Sequence, residues 1–201
     1  MRGTTLTNGP IRRRVAFESG LELKAIEVFL ARPDVVDIEE QVGPIAFVDG
    51  LGRRCERVFD LRVTLTDGSR ILVSVKPEDK ALGIDLDGEN RTIAAQIDPA
   101  IADRIVRVSE RHLPREVVRD AQLVRMVRRD RRPDVDRVLA GIVASLQGET
   151  TVGELVRSSG LKGAAFRGVV RLVGCGTLRI VGPRGIDYAT RVEPSSVTGA
   201  T

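Results

Sequence analysis

Between Phe59 and Lys76 the chain alternates apolar and polar residues on both sides of an Asp67-Gly68-Ser69 turn, and this pattern constrains the fold more than any other. Phe59, Leu61, Val63 and Leu65 alternate with Asp60, Arg62 and Thr64; Ile71, Val73 and Val75 then alternate with Leu72, Ser74 and Lys76. A period of two belongs to a strand, whose successive side chains point to opposite faces. The register of the hairpin decides which polar groups meet, because a slip of one residue turns every side chain over. A two-residue loop would set the apolar row of one strand beside the polar row of the other. A three-residue loop, Asp67-Gly68-Ser69, pairs Thr66 with Arg70, Arg62 with Ser74 and Asp60 with Lys76, and keeps the apolar rows together. The expectation is a polar cluster of Asp60, Ser74 and Lys76 on one side of a sheet.

Residues 1–12 have no period and read as a flexible arm. Ser19 precedes Glu22 by three residues, the capping-box spacing, and Leu21, Ala25, Ile26, Phe29 and Leu30 recur at helical intervals until Pro33. Short strands are expected at 35–38 and 45–48, a surface loop from Pro77 to Asn90, and an interrupted helix from Ile93 to Asp103. A strand follows at 105–109 and a helix from Pro114 to Arg129; Arg131-Arg132-Pro133 marks a boundary. Past it, Val135, Leu139, Ile142, Val143 and Leu146 define one helix, Thr151 caps a second, and Lys162–Val173 forms a third with Phe166, Val169, Val170 and Val173 inward. A strand at 178–181, a turn at 182–185 and a return strand through Ile186, Tyr188 and Ala189 complete the order of a winged helix-turn-helix. The expected organisation is an arm (1–12), an α/β core (13–113), a basic helical linker (114–133), the winged helix (134–192) and a flexible tail (193–201).

At 201 residues and 42% hydrophobic content the chain has enough apolar material for one large or two small cores. Its net charge is +4, and nine Arg stand against five acids between Arg111 and Arg137, a local surplus expected of a phosphate-binding surface. Aromatic residues are 3% of the chain and Trp is absent, which excludes an aromatic stacking platform as the main contact with bases. Cys55 and Cys175 lack metal-ligand spacing and read as reduced thiols. No apolar run suits a membrane span, so a cytoplasmic protein is expected. His112 has no neighbouring Ser or Asp pattern and receives no role.

Ser19-Gly20-Leu21-Glu22, Glu40-Gln41, Phe59-Asp60-Leu61, Val73-Ser74-Val75-Lys76, and the strand ending before Glu110 resemble, in order and spacing, the motifs of TnsA-like endonucleases. These are nuclease subunits of heteromeric transposases, and the resemblance covers roughly residues 12 to 129. It implies a restriction-endonuclease-like mixed sheet flanked by helices, in which Glu22 and Asp60 bind Mg²⁺ (or Mn²⁺) and Lys76 acts beside the attacking water. It also implies work on double-stranded DNA with a DDE-type transposase and an ATPase regulator. Ser74 stands where the family has Glu, Asp or Gln, and Phe59 replaces its usual Pro, so a catalytically silent, DNA-binding adaptor is the alternative. The candidate site is therefore Glu22, Asp60, Ser74 and Lys76. The cations expected to meet DNA are Arg128, Arg129, Arg131, Arg132, Lys162, Arg167, Arg171 and Arg184.

Overall fold

A computed structural model of the chain describes residues 2–7, 13–79 and 85–195. It has two compact units, one of Met1–Leu30 with Asp34–Pro114 and one of Ala31–Pro33 with Arg115–Thr201.

The first unit is mixed α/β. Strands β1 (Gly3–Leu6) and β2 (Arg14–Phe17) pair antiparallel, so part of the expected arm is a strand, while residues 8–12 lie outside the described ones. Helix α1 (Gly20–Ala31) begins at Ser19, whose hydroxyl accepts the Glu22 N–H at 3.1 Å, and it buries Ala25, Ile26, Phe29 and Leu30. A four-stranded sheet follows in the order β3 (Val35–Val48), β4 (Arg54–Leu65), β5 (Arg70–Val75) and β6 (Arg104–Val108). The first three strands run antiparallel and β6 lies parallel to β5. The two strands expected at 35–38 and 45–48 are one, because Gln41 (φ 52°) and Gly43 (φ 138°) absorb a register shift without ending the pairing to β4. A Cβ at position 43 would stand 2.7 Å from the Arg57 carbonyl, so glycine is required there.

The hairpin register also differs from the expectation. Leu61 faces Val73, Val63 faces Ile71 and Thr64 faces Arg70, a shift of two residues. The loop is Thr66-Asp67-Gly68: Leu65 accepts from Gly68 N–H at 3.0 Å and donates to Ser69 at 2.8 Å, with Gly68 at φ 85°. Both three-residue loops keep the apolar rows together, but only this one puts glycine at the left-handed position. Leu61, Val63, Ile71 and Val73 are consequently buried, each side chain contributing about 1.5–3 kcal/mol.

Helix α2 (Leu86–Ala94) lies where a loop was expected, and the residues from Ala95 to Asp103 are turns where a helix was expected. Asp85 caps it by accepting the Gly88 N–H at 2.9 Å, and Leu86, Asn90 and Ile93 recur at helical spacing on its buried face. Ile93 joins Ile45, Phe47, Phe59, Leu72 and Ala102 in one core cluster. The result is a mixed sheet flanked by helices.

The second unit comprises helices α3 (Arg115–Arg128), α4 (Pro133–Ala144), α5 (Val152–Ser159) and α6 (Lys162–Gly174), with strands β7 (Thr150–Thr151), β8 (Leu178–Val181) and β9 (Arg191–Pro194) in the order β7-β9-β8. Its main core joins Val135, Leu139 and Val143 of α4 to Leu155, Val169, Leu178 and Val192. Gly168 lets α4 and α6 approach, since a Cβ there would meet Leu139 Cδ1 at 2.3 Å. The segment expected as a linker carries α3, which packs inside this unit through Val124, Val127, Val170 and Ile186.

The return strand is Arg191–Pro194 rather than a path through Ile186, Tyr188 and Ala189. The buried Asp120 carboxylate on α3 accepts the N–H groups of Gly185 (2.9 Å) and Ile186 (2.7 Å). Asp187 then closes a turn by accepting from Ala189 (2.8 Å) and Thr190 (3.0 Å), so the backbone donors of residues 185–187, 189 and 190 are taken up before the ladder starts. The expected tail begins within β9, and residues 196–201 lie outside the described ones. Among the described residues no helix is long and apolar enough to cross a membrane.

Candidate functional site

Asp60 near the middle of β4 and Lys76 just past β5 meet at the end of the hairpin. Asp60 Oδ2 accepts the Val75 N–H at 2.7 Å, and Lys76 Nζ lies 3.5 Å from Asp60 Oδ1. The Asp60 side chain is 14% exposed and that of Lys76 is 45% exposed. A well-held carboxylate thus stands beside a cation that reaches solvent. The backbone continues into the parallel pair, as Lys76 N–H donates to Val108 at 3.0 Å.

Ser74, fully buried, does not join that pair through its hydroxyl. Arg57 Nη2 donates to Ser74 Oγ at 3.1 Å, and the same guanidinium pairs with Glu89 on α2 and lies 5.2 Å from the Phe59 ring centre. The Arg57 guanidinium is thus the polar partner of the buried Ser74 hydroxyl. It would meet any carboxylate introduced there.

Glu22 is bound into the start of α1. Its Oε2 accepts the Glu18 N–H at 2.8 Å and its Oε1 accepts the Ser19 hydroxyl at 2.9 Å, a reciprocal cap. Among the described residues no three His, Cys, Asp or Glu side chains gather as they would around a metal ion. For Mg²⁺ the fit is therefore partial: Asp60 supplies a preorganised carboxylate, while Glu22 and Ser74 are engaged elsewhere.

Sequence reasoning missed a second polar network beside Lys76. Glu78 pairs with Arg107 at 3.1 Å and Arg111 at 3.5 Å, and Arg107 reaches Asp87 at 3.0 Å. A hydrogen bond from the Ser109 hydroxyl, reinforced by Arg107, holds the Glu78 carboxyl below the usual glutamate range. His112 Nδ1 accepts the Ser109 N–H at 3.1 Å. The polar Ser109-Glu110 pair directly after a strand was the available signal.

The expected DNA contacts divide sharply. Arg171 is buried, its guanidinium 2.9 Å from Asp136 Oδ1 through Nε and 2.8 Å from the Asp130 carbonyl through Nη1. It holds α6 to the start of α4, so it is a structural group, contrary to the expectation of a DNA contact. Arg128 is half-buried and donates to the Gly174 carbonyl; burial pulls its pKa down from the usual arginine value. Arg167 faces Asp130 at 3.2 Å, and Arg132 lies 3.8 Å from Asp134. Arg129, Arg131, Lys162 and Arg184 are exposed. The chain matches no protein-family model and no curated protein sequence.

Proposed function

We propose that this chain is a DNA-processing subunit of the TnsA-like kind, a Mg²⁺- (or Mn²⁺-) dependent endonuclease acting on double-stranded DNA at transposon ends with a DDE-type transposase and an ATPase regulator. The observation that carries the reading is the pairing of Asp60 with Lys76 at the end of a hairpin, next to a parallel strand. A bound divalent ion would supply Lewis acidity at the scissile phosphate. Asp60, fixed by the Val75 N–H, offers it a carboxylate oxygen, and Lys76 holds a positive charge beside it. Support for a restriction-endonuclease-like core comes from the mixed sheet flanked by α1 and α2. Support for a winged helix-turn-helix comes from the order α4, β7, α5, α6, β8, β9, in which the last two strands form a hairpin against β7.

The test is Mg²⁺-dependent nicking of supercoiled plasmid and of transposon-end duplex by the purified chain, with and without its transposase. Asp60→Ala and Lys76→Ala are each expected to lower the rate about 100-fold or more. Equal rates for wild type and Asp60→Ala overturn the assignment. A second reading, a silent DNA-binding adaptor, is favoured by the bonding of Ser74 to Arg57 and of Glu22 to its own cap. It predicts salt-sensitive DNA binding unchanged by Asp60→Ala and indifferent to Mg²⁺, and cleavage arising only with Ser74→Glu.

A further inference from the structure

The loop between β8 and β9 is tied to α3 by a buried carboxylate. Asp120 is 6% exposed and takes both the Gly185 and Ile186 N–H groups, while Ile186 is packed among Val124, Val127 and Val170. On the solvent side of this joint, Arg119 Nη2 lies 3.5 Å from the Ile186 carbonyl and 3.9 Å from where a Gly185 Cβ would stand. Arg115 is one helical turn before Arg119, on the same face of α3, and Arg184 immediately precedes Gly185; all three are exposed. Glu116 shares the area, its Cγ also 3.9 Å from the Gly185 Cβ position; with Asp120 counted as well, three arginines face two carboxylates, of which Asp120 is buried under the loop and only Glu116 is exposed beside the arginines.

We infer that this joint is a duplex-DNA-binding face, in which Arg115 and Arg119 of α3 and Arg184 of the loop contact backbone phosphates and Asp120 is the positioning residue that brings the loop's cation to the helix. The inference rests on the DNA-processing reading above; it keeps the expected contact at Arg184, sets aside Arg171 and Arg128, which are occupied internally, and adds Arg115 and Arg119 of α3. The charge of the second unit favours a polyanion as partner: it carries sixteen Arg and Lys against nine Asp and Glu. Arginine suits phosphate because its planar fork presents paired donors. The N–H groups of Gly185 and Ile186 are already spent on Asp120, so the loop contributes side-chain charge rather than a backbone anion nest.

Fluorescence anisotropy of the full-length chain with a short labelled mixed-sequence duplex, repeated across a salt titration, tests the face. Each lost phosphate contact lowers the slope of log K against log salt by about 0.9. The double variant Arg119→Ala/Arg184→Ala is expected to lose about 1.8 from that slope, and Arg53→Ala, which removes an exposed cation of the first unit, to lose none. Asp120→Asn is expected to lose about 0.9 with unchanged far-ultraviolet circular dichroism, an effect on salt dependence that a purely structural carboxylate would not produce. Should Asp120→Asn fail to fold, the double variant carries the test. Wild-type binding with an unaltered slope in the double variant overturns this inference and leaves the DNA reading standing, the face then being one for an acidic protein partner. Absence of wild-type binding overturns both.

Discussion

The two units carry equal numbers of Arg and Lys, sixteen each, but the first has nineteen Asp and Glu and the second nine. In the first unit the arginines are largely matched locally: Arg62 with Glu39 at 2.6 Å, Arg13 with Asp37 at 3.1 Å, Arg107 with Glu78 and Asp87, and Arg57 with Glu89. In the second, Asp120 takes loop donors and Asp136 holds the buried Arg171, while Asp130, Asp134, Glu149 and Glu193 pair with partly exposed arginines; nine acids against sixteen cations still leave a surplus of seven. On the proposed reading, matched charge suits a unit that sets one carboxylate–lysine pair apart for chemistry. Surplus charge suits one that holds a polyanion.

If Asp136 of the second unit is structural, removing its buried partner should destabilise the fold more than breaking a matched pair of the first unit. Arg171→Ala is expected to lose about 2–3 kcal/mol by chemical denaturation, since Asp136 and the Asp130 carbonyl lose a buried partner. A loss no larger than that of a surface pair would erase the distinction. Thr151→Ala removes the hydroxyl that accepts the Glu154 N–H at 3.1 Å at the start of α5 and should lose about 1 kcal/mol, read as a lower denaturant midpoint.

A smaller effect is expected from acid titration of the first unit. The Arg62 guanidinium, through a side-chain hydrogen bond, holds the Glu39 carboxyl below the usual glutamate range. A carboxylate depressed in the folded state adds stability that is present above its unfolded pKa and lost as pH falls through the folded one. The pair is partly solvent-exposed, so the contribution is at most about 1 kcal/mol. Glu39→Gln should remove that part of the acid-side slope in a pH series of denaturation curves, and an unchanged slope would show the pair to be inert.

Local signals in the sequence were legible. Ser19 with Glu22 and Thr151 with Glu154 each mark a helix start, and each pair makes its reciprocal bonds. The period of two found the hairpin, but not its register, because two three-residue loops keep the same apolar rows together and only the glycine conformation separates them. What depended on distant partners was hidden. The β8–β9 loop is set by Asp120, 65 residues before Gly185, and Arg171 is claimed by Asp136, 35 residues earlier. For the candidate site, alternation put Asp60 and Lys76 on one face, but the directly opposed pairing expected for them belonged to the register two residues away; they meet in the observed register at 3.5 Å. The capture of Ser74 by Arg57 could not be read, since it goes with the β3–β4 register shift between Val42 and Ile45 and with the unforeseen α2 carrying Glu89.

The most direct test is divalent-cation binding at Asp60, followed by amide resonances during addition of paramagnetic Mn²⁺ to the purified chain. The Val75 amide, bonded to the Asp60 carboxylate, should broaden first, and Asp60→Asn should abolish the broadening. Broadening absent at Val75, or unchanged by Asp60→Asn, would contradict a metal-dependent site at this carboxylate.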